Sequence, residues 1–388
     1  MDKFIEQDIN NAVEQFREML FEQYERNAAI KTDLASKSEQ PSSKKKIKIG
    51  LASGDGIGPV IMEESKDVLK MLLAEEINSD KIELVEIEGL TLEERLACGQ
   101  TVPDKVLEKM LECDVVLKGP TTTPNAAMGG KNLESANVFL RKKLDLFANV
   151  RPVQLPQEGI DWTFFRENTE GEYALGSRGV KIGDDFSVDF KVISAEGTKR
   201  IAKAAYEYAR ENGKKRVSIV TKANIMKKTD GDFQSICLDI AKDYPEIKTD
   251  TWFVDIMAAN LVNKTIRNQF EVFVLPNLYG DIITDEAAQI QGGVGTAGSA
   301  NIGSKHAIFE AVHGSAPRMV EDGIAHLANP SSLMTASVLM LRHIGLAEKA
   351  KKLEQAIQHA DQNIGPRMTG LPGGATTKEY AALVKENL

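Results

Sequence analysis

Apolar and polar residues alternate along most of the chain in two different periods. Short apolar runs typical of buried strands, such as IKIGLA at 47–52 and EVFVLPN at 271–277, are separated by longer stretches with helical spacing. This succession predicts α/β layering, with helices flanking a largely parallel sheet. Long extended stretches interrupt the pattern after about residue 150, which predicts a second lobe inserted into the first.

The chain begins with a different pattern. Residues 2 to about 30 place apolar side chains at helical spacing among Glu and Gln, which predicts one amphipathic helix. A polar linker, SKSEQPSSKKK, follows, and the folded body is expected to begin near Lys46.

The length of 388 residues favours two lobes, because single hydrophobic cores stop growing near ~250–300 residues. We expect three parts: an N-terminal helix and linker, a large domain in two pieces, and a small domain inserted into it. In that order they cover residues 1–45, 46–151 plus 292–388, and 152–291.

Composition and charge narrow the classes of function. A formal net charge of −9 argues against general binding to nucleic acid or to an anionic membrane. Three cysteines without a CxxC pair indicate neither a disulfide framework nor a zinc ribbon. No apolar run approaches the ~20 residues that span a bilayer, and the acidic start resembles neither a signal peptide nor a transit peptide. We therefore expect a cytoplasmic protein.

A glycine-rich stretch, GDGIGP at 54–59, follows the first predicted strand and precedes a predicted helix. It is not a dinucleotide fingerprint, because Pro59 stands where that motif needs a third glycine. It is not a phosphate-binding P-loop either, because no Lys follows Gly58. The sequence instead predicts a tight strand-to-helix turn with Pro59 in the first helical turn, where no amide donor is needed.

Two aspartates stand four residues apart in NLYGDIITDEAAQ, at the start of a predicted helix. Asp281 and Asp285 would share one helix face, where two like charges are unfavourable unless a cation or a proton joins them. Oxygen-only ligands suit Mg²⁺ or Mn²⁺ better than zinc. The alternative is that both carboxylates only favour the helix dipole, and the spacing alone leaves both interpretations open.

Three arginines and two further residues are candidates for binding and proton transfer. The planar guanidinium groups of Arg141, Arg151 and Arg166 would suit a polycarboxylate if they converged. Tyr173 follows in FRENTEGEY, and Lys222 stands at the end of a predicted strand, where ligands bind in open α/β folds. Most arginines and lysines are solvated surface residues, so the residues alone leave this interpretation open.

Taken together, these motifs resemble the β-decarboxylating dehydrogenases, the family of isocitrate, isopropylmalate and homoisocitrate dehydrogenases. The resemblance implies an isopropylmalate-dehydrogenase-like fold, with two α/β lobes sharing a mixed sheet, and not a Rossmann fold. It runs from about Lys46 almost to the C-terminus, through the motifs GDGIGP, KGPTTTP, SANVFLRKKLDLFANVRP, FRENTEGEY, TKANIMKKTDG, NLYGDIITDEAAQ, SANIG and AVHGSAP.

The resemblance assigns a role to each domain and to each candidate. It implies that the large domain binds the cofactor and that the small domain carries the dimer interface and the metal and substrate residues. It implies that Tyr173 and Lys222 are the catalytic acid and base, and that Asp255, Asp281 and Asp285 bind the divalent metal. The substrate-binding residues would be Lys118, Ser135, Asn137, Arg141, Arg151 and Arg166. The cofactor-binding residues would be Ile57, Thr122, Asn224, His313, Gly314, Arg318 and Asn329. In this family the residues matching Asp255 and Lys222 reach the neighbouring subunit's site, which implies a homodimer, and the N-terminal helix could support a higher oligomer.

Substrate and cofactor rest on short segments. Isocitrate-acting members of the family resemble one another in a Ser-x-Asn that Ser135-Ala136-Asn137 matches, so we expect oxidative decarboxylation of isocitrate. The alternatives are an isopropylmalate or homoisocitrate dehydrogenase, or a non-catalytic regulatory subunit. After HGSAP, Arg318-Met319 matches neither the Asp typical of NAD enzymes nor the Lys-Tyr typical of NADP enzymes. We favour NAD⁺ and keep NADP⁺ open.

Overall fold

The structure is a computed structural model that describes residues 3–34, 44–124, 133–174, 176 and 178–388. Most of the predicted linker therefore lies outside the described residues. The chain forms two compact units: unit 1 is Met1–Ser38 with Pro156–Thr284, and unit 2 is Glu39–Leu155 with Asp285–Leu388. None of the helices in the described ranges combines the length and the apolar character needed to cross a membrane.

Unit 2 is an α/β unit that begins with the predicted strand IKIGLA. Its strands are β1 (Ile47–Ala52), β2 (Ile82–Glu86), β3 (Val115–Lys118), β4 (Ala148–Leu155), β11 (Gly298–Ile302) and β12 (Ala307–Ala311). Its helices are α2 (Gly58–Leu72), α3 (Ala74–Asn78), α4 (Leu92–Cys98), α5 (Asp104–Leu111), α6 (Ala136–Lys143), α11 (Pro317–Glu321), α12 (Ser331–His343), α13 (Ala347–Asn363) and α14 (Thr377–Glu386).

The strands of unit 2 follow the order β2-β1-β3-β12-β11-β4. The first four run parallel, with Ile47 opposite Ile82 and Val116 opposite Ile308, whereas β11 is antiparallel to both β12 and β4. One hydrophobic cluster joins this sheet to α2, α12, α13 and α14, and a second joins it to α5 and α6. Helices therefore pack against the mixed sheet in two separate hydrophobic clusters.

Unit 1 contains a smaller parallel sheet and a hairpin. Its elements are α1 (Lys3–Leu34), β5 (Ile160–Glu167), β6 (Val180–Ile182), β7 (Phe186–Val188), α7 (Ala195–Glu211), β8 (Arg216–Thr221), α8 (Thr229–Ala241), β9 (Lys248–Phe253), α9 (Val254–Val262) and β10 (Val272–Leu275). The order β5-β10-β8-β9 is parallel throughout, as the sequence predicts, and β6 pairs with β7 antiparallel.

The core of unit 1 is aromatic. Phe164 and Phe273 on neighbouring strands stack with ring centroids 4.4 Å apart, and the ring of Trp162 meets both edge-on at 6.2 Å. Such offset and edge-to-face pairs add to the free energy gained from burying the rings. Helix α10 (Asn277–Gln291) follows β10, and its residues belong to unit 1 as far as Thr284 and to unit 2 from Asp285.

Helix α1 confirms the predicted N-terminal helix and extends it to Leu34. It lies against α7 and β6 of unit 1, with Met19 and Ile30 buried and Phe16 stacked on Phe190 at 4.9 Å between ring centroids. Part of the apolar stripe seen in the sequence thus has a partner surface within the same chain, while Ile9 and Leu20 of that stripe are exposed.

Candidate active site

The GDGIGP turn is shaped by close backbone contacts in unit 2. Gly54 and Gly56 both adopt positive φ, at +71° and +61°. A Cβ atom on Gly54 would lie 2.1 Å from the carbonyl oxygen of Pro120, and one on Gly56 would lie 1.9 Å from that of Ser315. Only glycine fits both the conformation and the space. Pro59 lies in the first turn of α2, as predicted.

Asp55, within this turn, ties three segments together. Its carboxylate accepts hydrogen bonds from the backbone N–H of Leu92 at 2.6 Å and of Thr122 at 2.8 Å. Nη2 of the buried Arg95 lies 3.7 Å from Asp55 Oδ2 and donates a hydrogen bond to the carbonyl of Thr122. The aspartate therefore fixes the segment after β3 and the start of α4 against the turn.

Two predicted cofactor residues meet at Ser315. The buried Ile57 donates its backbone N–H to the Ser315 carbonyl at 3.0 Å, and the hydroxyls of Thr122 and Ser315 are 2.7 Å apart. Ala316 follows in the left-handed region, with φ 45°. Strained backbone of this kind persists where the surrounding contacts determine it. The structure thus brings Ile57 and Thr122 together around the HGSAP segment.

The other predicted cofactor residues differ in their surroundings. His313 Nδ1 lies 2.9 Å from the Gly314 carbonyl, which can only accept, so Nδ1 carries the proton in the neutral ring. Burial lowers the pKa of His313, and its Nε2 is buried without a hydrogen-bond partner among the described residues. The Oδ1 of Asn329 accepts a hydrogen bond from the backbone N–H of Ser331 at 3.0 Å. Arg318 on α11 and Asn224 after β8 are exposed, and Asn224 belongs to unit 1.

A pocket of about 120 Å³ in unit 2 brings substrate and cofactor candidates together. Its walls include the predicted substrate residues Asn137, Arg141 and Arg151 and the predicted cofactor residues His313 and Gly314. The guanidinium of Arg141 keeps a buried Nε that has no partner within the described part of the chain. A buried donor of this kind is costly unless a ligand satisfies it, so the pocket suits an anion.

Glu310 also lines this pocket and was not predicted from the sequence. It accepts hydrogen bonds from Lys118 Nζ at 3.1 Å, Arg141 Nη2 at 3.1 Å and Asn301 Nδ2 at 2.8 Å. Burial alone would raise the pKa of Glu310, but the two cations and these hydrogen bonds lower it to about 2. Lys118, only 1% exposed, has its pKa lowered by burial. The carboxylate therefore holds both predicted substrate cations in place.

The Ser-x-Asn segment lies at the start of α6. Asn137 accepts from the hydroxyl of Thr121 at 3.1 Å, which leaves its amide nitrogen as the atom that can donate to a ligand. Ser135 is the N-cap residue of α6, but its side chain makes no capping hydrogen bond, and it is not among the residues that line the pocket. Asn137, rather than Ser135, is thus the segment's residue in the pocket wall.

In unit 1, Asp281 is a junction for two predicted site residues. Its carboxylate accepts from Arg166 and, at 2.8 Å, from the hydroxyl of Tyr173. Arg166 also donates to the Oδ1 of Asn277, from Nε at 2.9 Å and from Nη2 at 2.7 Å, and its guanidinium lies 5.4 Å from the Tyr173 ring centroid. The predicted acid, arginine and metal ligand are therefore neighbours.

The second predicted metal ligand of α10 is also paired. Asp285 lies one helical turn beyond Asp281 and 3.1 Å from Arg151 Nη1 in unit 2. Each of the two aspartates is thus paired with an arginine of its own unit. Among the described residues, no three His, Cys, Asp or Glu side chains form a group that could hold a metal ion. Carboxylate oxygens are donors of the kind Mg²⁺ prefers, and the assignment of Asp255, Asp281 and Asp285 as metal ligands stays a prediction.

Lys222 and Asp255 form a pair of their own in unit 1. Lys222 follows β8 directly, as predicted, and its Nζ donates to Asp255 Oδ1 at 2.5 Å. This hydrogen bond lowers the pKa of Asp255. The backbone N–H of Lys222 donates to the buried Asp230 at 2.7 Å, which fixes the start of the turn.

The sequence matches the family described as "Isocitrate/isopropylmalate dehydrogenase" over residues 48–384. The chain belongs to this isocitrate/isopropylmalate dehydrogenase family. The matched residues do not include helix α1.

Curated relatives carry more than one activity. The chain is 41% identical to the isocitrate dehydrogenase [NADP] of Rickettsia prowazekii over 79% of its own length and 62% of that enzyme, so it spans less than two thirds of this relative. It is 37% identical to the 3-isopropylmalate dehydrogenase of Archaeoglobus fulgidus, over 86% of the chain and 97% of that enzyme. It is 39% identical to the mitochondrial isocitrate dehydrogenase [NAD] catalytic subunit 6 of Arabidopsis thaliana, over 89% and 90%.

Solved structures confirm the predicted fold class. The isocitrate dehydrogenase of Methylococcus capsulatus is similar with a TM-score of 0.76 and 34% identity, over 88% of this chain and 99% of that one. The TT0538 protein of Thermus thermophilus gives a TM-score of 0.78 at 34% identity, over 91% and 71%. The α/β fold of this dehydrogenase family, which is not a Rossmann fold, is thus shown for this chain.

Proposed function

We propose that the protein catalyses the oxidative decarboxylation of isocitrate to 2-oxoglutarate and CO₂, with reduction of NAD⁺ or NADP⁺ and with Mg²⁺ or Mn²⁺. The observation that carries the proposal is the unit 2 pocket, in which Asn137, Arg141 and Arg151 lie beside His313 and Gly314. Arginine forks and an amide donor suit carboxylates, and the adjoining residues are those that family resemblance assigns to the nucleotide.

The pairing of arginines with aspartates supports joint binding of substrate and cation. Arg151 faces Asp285, and Arg166 faces Asp281. A substrate carboxylate that took an arginine would leave the aspartate without its counter-charge, and a divalent cation would supply one. We therefore propose that the three arginines bind the substrate's carboxylates while Asp281 and Asp285 bind the metal, each event favouring the other.

When bound, the cation stabilises negative charge developing on the substrate oxygen, and the nicotinamide accepts the hydride. The chain's own residues move the protons. We propose that Lys222 takes the proton of the substrate hydroxyl and that Tyr173 donates one to the carbon that has lost CO₂. The hydrogen bond from Tyr173 to Asp281 already orients that phenol beside the proposed metal ligand.

Apolar surface around the Lys222–Asp255 pair supports a shared site in a homodimer. Four exposed hydrophobic side chains flank the pair in sequence: Ile225, Met226, Phe253 and Ile256. Exposed apolar clusters with a polar centre are typical of protein interfaces. We propose that this surface meets a second subunit and delivers Lys222 and Asp255 to its site. The assignment of residues 46–151 plus 292–388 to cofactor binding and of 152–291 to metal and dimer contacts is part of the same proposal.

A second candidate substrate is 3-isopropylmalate, because the chain covers 97% of the Archaeoglobus fulgidus enzyme that bears this name. Asn137 in the pocket wall favours isocitrate, because the third carboxylate of isocitrate can accept a hydrogen bond from the Asn137 amide. A site built to hydrogen-bond a polar group rejects an analogue that lacks it. For the nucleotide we propose NAD⁺, with NADP⁺ as the alternative that the exposed Arg318 could serve through its charged fork.

The test is an assay of the purified chain with isocitrate, 3-isopropylmalate and homoisocitrate, each with NAD⁺ or NADP⁺ and with Mg²⁺ or Mn²⁺. We expect reduced nucleotide with isocitrate in a metal-dependent reaction. Turnover of 3-isopropylmalate alone would establish the second candidate. No reduced nucleotide in any combination would contradict the enzyme interpretation and favour a regulatory subunit.

Replacing one proposed metal ligand tests the site residues. We expect Asp281→Asn to lower kcat/KM by roughly a hundredfold or more, because the change removes a metal ligand and the charge partner of Arg166. Mn²⁺ affinity, measured by electron paramagnetic resonance of free Mn²⁺, should fall in parallel. The control is Asp80→Asn, which removes a carboxylate of an exposed pair with Lys46. Unchanged Mn²⁺ affinity in Asp281→Asn would mean that the ligand is misassigned.

A further inference from the structure

Helix α1 lies outside the residues that match the family, and it contacts the FRENTEGEY segment, residues 165–173. Arg26 on this helix donates from Nη1 to Glu170 Oε1 at 2.7 Å and from Nη2 to the Thr169 hydroxyl at 2.6 Å. The side chain of Glu170 is fully buried, whereas that of Arg26 is 23% exposed. The family match begins at residue 48, so Arg26 lies outside the matched residues.

The segment that Arg26 contacts contains two buried carboxylates. Glu167 accepts from the backbone N–H of Thr169 at 3.0 Å and of Glu170 at 2.7 Å. Glu170 in turn accepts from the backbone N–H of Ser194 at 2.8 Å. Burial and the neighbouring Glu170 charge raise the pKa of Glu167, whereas Arg26, the Thr169 hydrogen bond and Arg200 lower it. Two like charges in low dielectric need cations nearby, and Arg26 is one of them.

Hydrogen bonds continue from Glu170 to the proposed proton donor. The Glu170 carbonyl accepts from Asn277 Nδ2 at 2.9 Å, and Asn277 Oδ1 accepts from Arg166. Arg166 and the hydroxyl of Tyr173 both donate to Asp281. Every link of this path belongs to unit 1. A displacement of the loop at Glu170 would therefore reach the group that orients Tyr173.

We propose that Arg26 is a positioning residue for the loop 167–173, and that helix α1 thereby fixes the orientation of Tyr173 at the site. The catalytic part of this inference rests on the proposed function, in which Tyr173 is the proton donor. Arg26 acts through Glu170 and Thr169, which are not among the proposed substrate-binding residues, so its effect should fall on the chemical step and not on substrate binding.

The experiment compares Arg26→Ala with Arg26→Lys and with Glu22→Gln in the full-length protein. Glu22 is a matched control, because it joins the same helix to Arg178, outside the loop 167–173, at 2.7 Å. For Arg26→Ala we expect kcat with isocitrate to fall about tenfold while KM changes less than about twofold, since a small misplacement of a catalytic group is costly. Added guanidinium at millimolar concentration should restore part of the lost kcat, and Arg26→Lys should retain more activity than Arg26→Ala.

The pH profile adds a readout that a general loss of stability would not move. Removing the Arg26 cation raises the pKa of Glu167 further. The acidic limb of the kcat profile should therefore move to higher pH in Arg26→Ala and stay in place in Glu22→Gln. An equal loss of kcat in both variants, or a loss without any shift of the limb, would overturn the positioning role.

Hydrogen exchange separates this inference from the proposed function. In Arg26→Ala, the amides of Thr169, Glu170 and Gly171 should exchange faster than in the wild type, whereas those of β8 should not change. If the wild-type protein fails to oxidise isocitrate, the proposed function is wrong, and this exchange result still decides whether Arg26 holds the loop. Unchanged exchange at these amides would overturn the proposal, whatever the activity.

Discussion

Each unit buries an acidic site, and the two sites respond to burial in opposite ways. In unit 2, Glu310 faces the Lys118 and Arg141 cations, and its pKa falls to about 2 in spite of burial. In unit 1, Glu167 lies beside the buried Glu170, and its pKa is raised by burial and by that neighbouring charge. The difference teaches that the balance of cations and carboxylates around a buried acid, and not burial itself, sets the sign of the pKa shift.

The two sites should therefore oppose each other in the pH dependence of folding. A carboxyl with a lowered folded pKa stabilises the protein above its unfolded pKa, and this contribution is lost as the pH falls towards the folded value. A carboxyl with a raised folded pKa binds its proton more tightly in the folded state, so stability falls as the pH rises from the unfolded to the folded pKa. Glu310 belongs to the first kind and Glu167 to the second.

The largest expected effect is that of Glu310→Gln. The change leaves Lys118 and Arg141 buried without their carboxylate, and we expect the free energy of unfolding at pH 7 to fall by about 3–5 kcal/mol. Urea denaturation followed by circular dichroism would measure it. Asp80→Asn, which breaks a solvent-exposed ion pair, should cost far less, because exposed pairs contribute little to stability. A loss for Glu310→Gln no larger than that of this control would break the comparison.

The next largest effect is the pH dependence of that loss. Because the pKa of Glu310 drops from 4.5 to about 2 on folding, the stability difference between wild type and Glu310→Gln should shrink by about 3 kcal/mol as the pH falls through this window. Denaturation curves of both proteins between pH 6 and the lowest pH at which they fold would test the expectation. A difference that stays constant over this range would mean that the Glu310 charge is not what stabilises the cluster.

The smallest effect is expected for Glu167→Gln. The substitution relieves the repulsion with Glu170 and keeps one acceptor oxygen for the loop amides, so we expect a loss of less than about 1 kcal/mol at pH 7. The wild type should lose stability relative to Glu167→Gln as the pH rises above the unfolded pKa of the acid. Melting temperatures of the two proteins at a series of pH values would show it. A cost equal to that of Glu310→Gln would remove the distinction between the two sites.

Local features of the sequence predict most of the fold, because strand and helix periodicity is read over a few neighbouring residues. The strands β1, β8 and β10, the helix α1 and the location of Lys222 directly after β8 were all predicted in this way. The position of Asp281 and Asp285 on one face of α10 was predicted as well. Their pairing with Arg166 and Arg151 was not, since those arginines lie 115 and 134 residues away along the chain.

Glu310 shows why the rest of the site was missed. Its strand, AIFEA, is buried throughout, and a lone carboxylate in such a run signals that partners must exist. The partners themselves, Lys118 and Arg141, are 192 and 169 residues distant, so only the tertiary structure identifies them. Arg26 and Glu170, separated by 144 residues, are missed for the same reason.

The glycines of the GDGIGP turn have a consequence for how this chain can vary. At positions 54 and 56 the first side-chain carbon would collide with a backbone carbonyl, so every alternative residue fails alike. In saturation mutagenesis, these two positions, one on either side of Asp55, should tolerate no substitution. A conservation score would therefore rank them as high as the residues that bind substrate. The cause, however, is steric: two segments of main chain approach too closely for any side chain to fit between them.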